Sequence, residues 1–407
     1  MATPIFKCIH ASDLHLDQSL HGLGQIPVAL IDPLLDAPYL ASESIFTLAL
    51  SEEVDCLLLT GDILSAEEPG PRSLLFLVEQ CERLAESGIA VYWAMGGSDP
   101  PARWQGASLL PTTVHRLGGK DREVLHPLKN GGQARLLGPG EARTSVRATE
   151  YPAVEDDLIS LALGYGACRL DAVAELGYHY WALGGQHLRS MLSRDPTIHY
   201  AGTPQGRSPE ETGPRGCTLV EIDATGTVQT SPIVTDAVRW STYTLQVNSE
   251  TTTESLYTQM AAELSRGLVD AASRPLLVAW KVIGTGPLVR RLQAREQADA
   301  VLEQLNTADR GGAAVWHVDI EVVCPGEYPA EWFEEESIRG EFLRSLQVFE
   351  VEGLQVADWE PYLPPGAIGE EVAERMGATE ESTQQLAVKR AADLGVHLLS
   401  GEDVESR

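Results

Sequence analysis

Seven short apolar and β-branched runs recur through the first half of the chain, at 5–11 (IFKCIHA), 55–60 (DCLLLT), 89–95, 158–163, 178–183, 197–201 and 217–222. Residues of this kind over four to seven positions, closed by Gly, Pro or small polar clusters, predict β-strands. Helical patterns fall near 39–53 and 71–87. The early order is therefore βαβαβ, which requires helices packed on a sheet and puts the chain in the α/β class. A second βαβαβ pattern begins near 238, with VRWSTYTLQV as a strand, 252–266 helical, 276–284 a strand, 287–305 helical and 313–323 a strand. At 407 residues the chain is long enough for two or three domains. The expected division is 1–235, a small α/β module at 236–325, and an acidic helical tail at 326–407. The tail segment LAVKRAADLGVHLLSG (386–401) has the apolar spacing of a docking helix, though packing on its own domain is the ordinary outcome of that spacing.

Charge narrows the function classes. The net charge is −29. Residues 1–235 hold 16 Lys and Arg against 29 Asp and Glu, and residues 236–407 hold 14 against 30, so neither half is basic. Proteins that grip nucleic acid by its backbone use cations and counterion release. Unaided, sequence-independent DNA binding is thus not favoured, although a local basic patch is compatible with these totals. No run is long and apolar enough to predict a membrane span. The N-terminal MATPIFKCIH enters a strand-like run at once, which predicts no signal peptide. Six cysteines are scattered without CxxC spacing, and Cys8 and Cys56 fall in apolar runs, as expected of buried thiols in a reducing cytoplasm.

Three polar motifs sit where strands should end: SDLHLD (12–17), TGDIL (60–64) and YWALGGQH (180–187). In open α/β sheets, sites form outside the carboxyl ends of strands, so these loops should converge. Asp13 and His15 alternate across Leu14 and can reach one point. Asp62 follows a glycine that permits a tight turn. Two carboxylates and two imidazoles suit Mn, Fe or Zn better than Ca or Mg.

Taken with FKCIHASDLHLD (6–17), HGL (21–23), YHYWALG (178–184), YAGTPQGRSPEETGPRGCTLVEID (200–223) and DAVRW (236–240), these motifs resemble the calcineurin-like metallophosphoesterases, and within them the DNA-repair exonuclease branch of SbcD and YhaO type. The resemblance runs in order over about 1–325. It implies a four-layer sandwich of sheets and helices followed by a capping domain, and two metal ions bridged by one carboxylate. By motif position Asp13, His15 and His187 would hold the first ion and Asp62 would bridge. The second half of the site departs from the family pattern. Where the family has GNHD, this chain has Gly96, Gly97, Ser98 and Asp99, so Ser98 stands at the usual catalytic histidine position and Gly97 replaces a ligand. LALGYG (161–166) lacks the middle histidine, and the final pair, GHxH in the family, reads Gly184-Gly185-Gln186-His187 here. One divalent transition metal is therefore expected and a second is not. The catalytic group is left unknown, with Asp99 the remaining acid nearby. The resemblance also implies an SbcC-like coiled-coil ATPase as partner, and leaves a homodimer open.

Each residue also has a plainer role. Asp13, His15, Asp62 and His187 can form a polar network that closes the loops without a metal. Arg207 and Arg215, in the GTPQGR…GPRG stretch, can touch phosphate, or form surface ion pairs. His10 and His179 fit strand positions, as do Trp93, Tyr180 and Trp181, where core packing is the ordinary outcome.

Overall fold

The computed structural model describes residues 4–24, 26–65, 70–99, 108–118, 121–128, 131–140, 144–271, 274–307, 315–324, 330–352, 395 and 399. Its elements in chain order are β1 (Phe6–Ala11), α1 (Val28–Ser51), β2 (Cys56–Thr60), α2 (Pro71–Glu86), β3 (Ala90–Ala94), β4 (Val114–Leu117), β5 (Glu123–Pro127), β6 (Gln133–Leu137) and β7 (Ile159–Tyr165). There follow α3 (Leu170–Val173), β8 (Tyr180–Gly184), β9 (Ser190–Arg194), β10 (Thr197–Tyr200), β11 (Gly216–Ile222) and β12 (Val228–Val234). The remainder is β13 (Arg239–Val247), α4 (Thr253–Asp270), β14 (Leu276–Gly284), α5 (Pro287–Gln293), α6 (Arg295–Thr307), β15 (Val315–Val323), α7 (Ala330–Glu334) and α8 (Ile338–Glu352).

Two six-stranded sheets make the sandwich. The first runs β12-β11-β1-β2-β3-β4, the second β5-β6-β7-β8-β10-β9. Strands β1 to β4 are mutually parallel, as are β6, β7, β8 and β10, and the antiparallel strands β11, β12, β5 and β9 lie to the outside. The period-two alternation of strand side chains decides the layers. Cys8, Cys56, Leu58, Tyr92 and Ala94 point between the sheets, where they meet Leu136, Leu161, Leu163, Tyr180 and Ala182. Their neighbours Ile9, Leu57, Leu59, Val91 and Trp93 point the other way, onto Ile45, Phe46 and Ala49 of α1 and Leu77, Cys81 and Leu84 of α2. The outer face of the second sheet buries Leu137, Ala162, Trp181, Leu183, Ile198 and Tyr200 under Tyr151, Val173 and Tyr178. The fold is thus a mixed α/β sandwich of two six-stranded sheets flanked by helices, with a thin fourth layer.

Trp93, Tyr180 and Trp181 are core residues, each at most 1% exposed. His10 is buried between the sheets, with Nδ1 2.8 Å from the Tyr180 hydroxyl and Nε2 2.9 Å from Thr60 Oγ1. His179 is part-buried, and its Nδ1 accepts the Ser160 N–H.

Helix α1 begins eleven residues before the periodicity predicts, because Pro33 and Pro38 interrupt the pattern yet lie inside the helix. Its early half is held from outside: Leu34 and Ala37 pack with Leu20, Val238, Trp240, Leu277, Ala279 and Val318. The last five include residues of β13, β14 and β15, which form a three-stranded sheet in that order. The chain divides into two compact units. One comprises Met1–Leu245, Glu254–Lys281 and Ala294–Glu321, and the other Gln246–Thr253, Val282–Gln293 and Val322–Arg407. In the second, Arg344 of α8 donates to the carbonyls of Phe333 and Glu335, and Arg339 lies over the Trp332 ring. Almost all of the acidic tail beyond 352, including most of 386–401, is outside the described residues. Among the described residues no helix is long and apolar enough to cross a membrane.

Candidate metal centre

The carboxyl ends of β1, β2 and β3 in one sheet and of β7, β8 and β10 in the other all open onto the same place. Gly184, at the end of β8, is what lets the sheets close there. A Cβ on Gly184 would stand 1.6 Å from the carbonyl oxygen of Thr60, so only glycine admits this approach of β8 to β2. The loops then cross-link through their backbones. Asp13 N–H donates to Gly61 O at 3.0 Å, and His15 N–H to Asp62 O at 2.9 Å.

Asp13, His15 and Asp62 all have left-handed backbones, with φ of 53°, 45° and 53°. Such conformations cost free energy for a residue with a Cβ and persist where the surroundings over-determine them, most often at functional sites. Three of the four non-glycine residues with positive φ among the described residues lie here.

Asp13, His15 and His187 each offer a ligand atom within 4.8 Å of the others. The His15 and His187 Nε2 atoms face each other at 3.1 Å. Two imidazoles bound to one ion at about 2.0–2.1 Å per bond would place their nitrogens about 3 Å apart, so the spacing fits a shared cation. The far sides of the ligands are also arranged. Glu211 Oε1 stands 2.5 Å from His187 Nδ1. Both Asp13 carboxylate oxygens accept the Gly185 N–H at 3.1 Å. A carboxylate behind a histidine fixes the ring tautomer and its orientation, as metal-ligating histidines usually require. His15 Nδ1 is buried without a hydrogen-bond partner.

Electrostatics agree with this geometry. Burial pushes the Asp13 carboxyl up to about 7. The same burial, with the Arg207 guanidinium near, lowers His15 to about 3, so its ring is neutral. His187 is raised by its hydrogen bond to Glu211. Burial opposes the charge of Glu211, but His187 and the Arg207 N–H outweigh it and hold the carboxyl at about 2. A pocket that makes a carboxylate costly to ionise and keeps an imidazole neutral is one a divalent cation would stabilise. The residues fit one transition-metal ion.

Asp62 stands apart from this cluster. Its Oδ2 is 4.0 Å from His15 Nε2, but both of its oxygens are occupied. Oδ1 accepts the Ser98 N–H and hydroxyl, each at 2.8 Å, and Oδ2 accepts the Tyr165 hydroxyl at 2.6 Å. Burial works against ionised Asp62, yet these three donors outweigh it and hold the carboxyl below its usual range. Ser98, at the histidine position of the motif, therefore serves to hold Asp62. Asp99 is wholly buried and accepts four N–H groups, from Asp62, Ile63, Gly96 and Trp93. That fully used carboxylate clamps the loops and has no free face for a metal or substrate. Burial raises it to about 6. Gln186 is exposed. Beside Asp62, Gly97 has no side chain to offer and Ser98 is spent on the carboxylate.

Arg207 and Arg215 are not surface groups. They are 6% and 8% exposed, since the 202–215 loop folds back over the site. Arg215 Nη1 donates to the His187 carbonyl at 2.6 Å, and Arg207 Nη1 to Gln18 Oε1. The Nε of each is buried and without a partner. Arg207 feels the charges of Glu211, Asp13, Asp62 and Asp17. Sequence reasoning missed Glu211 and Tyr165. The first lies inside the quoted loop motif, where only its identity as a carboxylate between two arginines was a signal. The second was visible only as the lack of a histidine.

No family model matches the chain. Over 237 residues it is 31% identical to "Uncharacterized metallophosphoesterase YhaO" of Bacillus subtilis (strain 168), an alignment covering 53% of this chain. The chain spans 57% of that protein's length. The crystal structure of TT1561 of Thermus thermophilus aligns at 12% identity over 56% of this chain and 99% of that one, with a TM-score of 0.32, too low to carry an argument. In its sandwich, its ligand cluster and its similarity to that Bacillus protein, the chain is metallophosphoesterase-like.

Proposed function

We propose that this chain is a one-ion, metallophosphoesterase-type protein with weak or no phosphodiester hydrolysis, acting as a subunit of a DNA-processing complex with an SbcC-like coiled-coil ATPase. The observation that carries the reading is the asymmetry around Asp62. On one side Asp13, His15 and His187 converge, and on the other Ser98 and Tyr165 consume the carboxylate. A pair of ions stabilises both the attacking and the leaving oxygen of a phosphoryl transfer, and a single ion supports only part of that. A bound ion would supply Lewis-acid polarisation of a phosphoryl oxygen. The chain's own residues orient that position, through Glu211 on His187 and Gly185 on Asp13, and Arg207 contributes a buried cation beside it. The partner and the DNA context rest on the motif resemblance alone. The strongly negative charge favours a role in which another subunit holds the nucleic acid.

The test is nucleotide release from linear single- and double-stranded DNA with added Mn²⁺, wild type beside Asp62→Ala. The expected result is release from neither beyond background. Robust release by wild type that Asp62→Ala abolishes would overturn the reading. The partner is tested by gel filtration of this chain with an SbcC-like ATPase, where co-elution is expected.

A second reading, an active metal-dependent phosphodiesterase or exonuclease on DNA, is favoured by Arg207, whose buried Nε has no partner. A guanidinium can engage a phosphate with two parallel donors, which an ammonium cannot. Under that reading Arg207→Lys would raise KM for a phosphodiester about tenfold, whereas under the first there is little or no turnover to change.

A further inference from the structure

The Tyr165 ring occupies a space walled by glycines from three loops. A Cβ on Gly61 would meet it at 2.2 Å, on Gly96 at 2.7 Å and on Gly185 at 3.1 Å. Gly61 and Gly185 have positive φ, which accounts for glycine there on other grounds. Gly96 does not, so only space explains it: its Cβ would press on the ring and stand 2.8 Å from both Asp62 N and Asp62 Oδ1. The tyrosine sits at the end of β7, and its hydroxyl reaches Asp62 Oδ2 at 2.6 Å. That oxygen is the one nearest His15 Nε2, at 4.0 Å, and so lies on the metal-facing edge of the carboxylate. A donor hydroxyl there competes directly with any cation for the same lone pairs.

The geometry points to Tyr165 as a built-in substitute for a second cation: its hydroxyl caps the Asp62 oxygen that faces the cluster and would have to bridge from its ion to a second, and its ring fills the volume such an ion and its water would take. The inference rests on the one-ion reading above and goes further in naming the side chain that enforces it. The tyrosine O–H and the two Ser98 donors supply charge-assisted hydrogen bonds where a metal would otherwise supply charge.

The experiment is Mn²⁺ stoichiometry by equilibrium dialysis with elemental analysis up to millimolar Mn²⁺, together with low-temperature EPR for an exchange-coupled pair. It compares the full-length wild type with Tyr165→His, which offers an imidazole, and Tyr165→Ala, which empties the space. Wild type is expected to bind one Mn²⁺ per chain with no coupled signal. At least one folded variant is expected to rise to two, with a coupled signal in Tyr165→His. Wild type at one with both folded variants also at one would overturn this inference alone. Wild type at none would overturn the one-ion reading of the site, and wild type at two would overturn both. Should neither variant fold, Tyr165→Phe, which removes only the hydroxyl cap, takes their place: a second Mn²⁺ supports the inference and a single one overturns it.

Discussion

Glu211 Oε1 stands 2.5 Å from Nδ1 of His187, on the side of the ring opposite to His15. The contact places the imidazole proton on Nδ1 and leaves Nε2 with a lone pair directed at the cluster. Glu211→Gln should retain the fold, because its amide oxygen can still accept the Arg207 N–H. It should lower Mn²⁺ or Zn²⁺ affinity by about 10–100-fold, the usual cost of losing such a support. Competition titration with a metal chromophore measures this, and unchanged affinity would remove Glu211 from the site.

Asp99→Asn exchanges one acceptor oxygen for an NH₂ facing N–H groups that now point at a carboxylate. Either Asp62 and Gly96, or Ile63 and Trp93, would lose their acceptor. Each buried donor left unsatisfied costs about 1–3 kcal/mol. Chemical denaturation should show a midpoint well below wild type.

Gly96→Ala and Gly97→Ala separate space from backbone. At 96 the new methyl would meet Tyr165 and Asp62 at 2.7–2.8 Å, whereas at 97 its nearest neighbour is the Tyr165 hydroxyl at 3.4 Å. Gly96→Ala should cost about 1–3 kcal/mol through overpacking. Gly97→Ala should be close to neutral. Thermal melts of the two variants, run side by side, check the order.

Acid stability reports the buried histidines between the sheets. Burial lowers His10 well below its ordinary value and lowers His199 to about 4. Below the ordinary histidine value of about 6.5 the unfolded chain takes up protons that the folded chain refuses, so stability rises with pH in that range. The contribution is full above about 6.5 and is lost as pH falls toward 4, where folded His199 begins to protonate. His199→Phe should flatten the stability–pH curve between those limits. An unchanged slope would show that His199 is not held neutral.

Much of the sandwich was legible because its central strands are apolar on both faces. Runs such as CLLLT and YWALG are buried throughout, and they announce themselves. Strands β4, β5, β6, β9 and β12 escaped notice: all but β6 lie at sheet edges, and β5 and β12 alternate with exposed residues, as in EVLHP and VQTSPIV. The first half of α1 escaped because its two prolines argue against a helix, and tertiary packing of Leu34 and Ala37 overrides them. At the site, Asp13, His15 and His187 were readable because their loops follow buried strands directly. Tyr165 was not, since nothing in LALGYG reveals that its tyrosine turns toward Asp62. The burial of Arg207 and Arg215 depends on how the 202–215 loop folds back, which no local pattern encodes.

The contact between Gly184 and Thr60 gives the pocket a lever. Asp13, His15 and Asp62 follow strands of one sheet, and His187 and Tyr165 belong to the other, so the distances from Asp13 and His15 to His187 are also distances across the seam between sheets. A cation gripped jointly by Asp13 and His187 would act as a rivet through both halves of the sandwich. Conversely, a single methyl at 184, which touches no ligand, would wedge the halves apart and spread the ligands beyond any ion's reach.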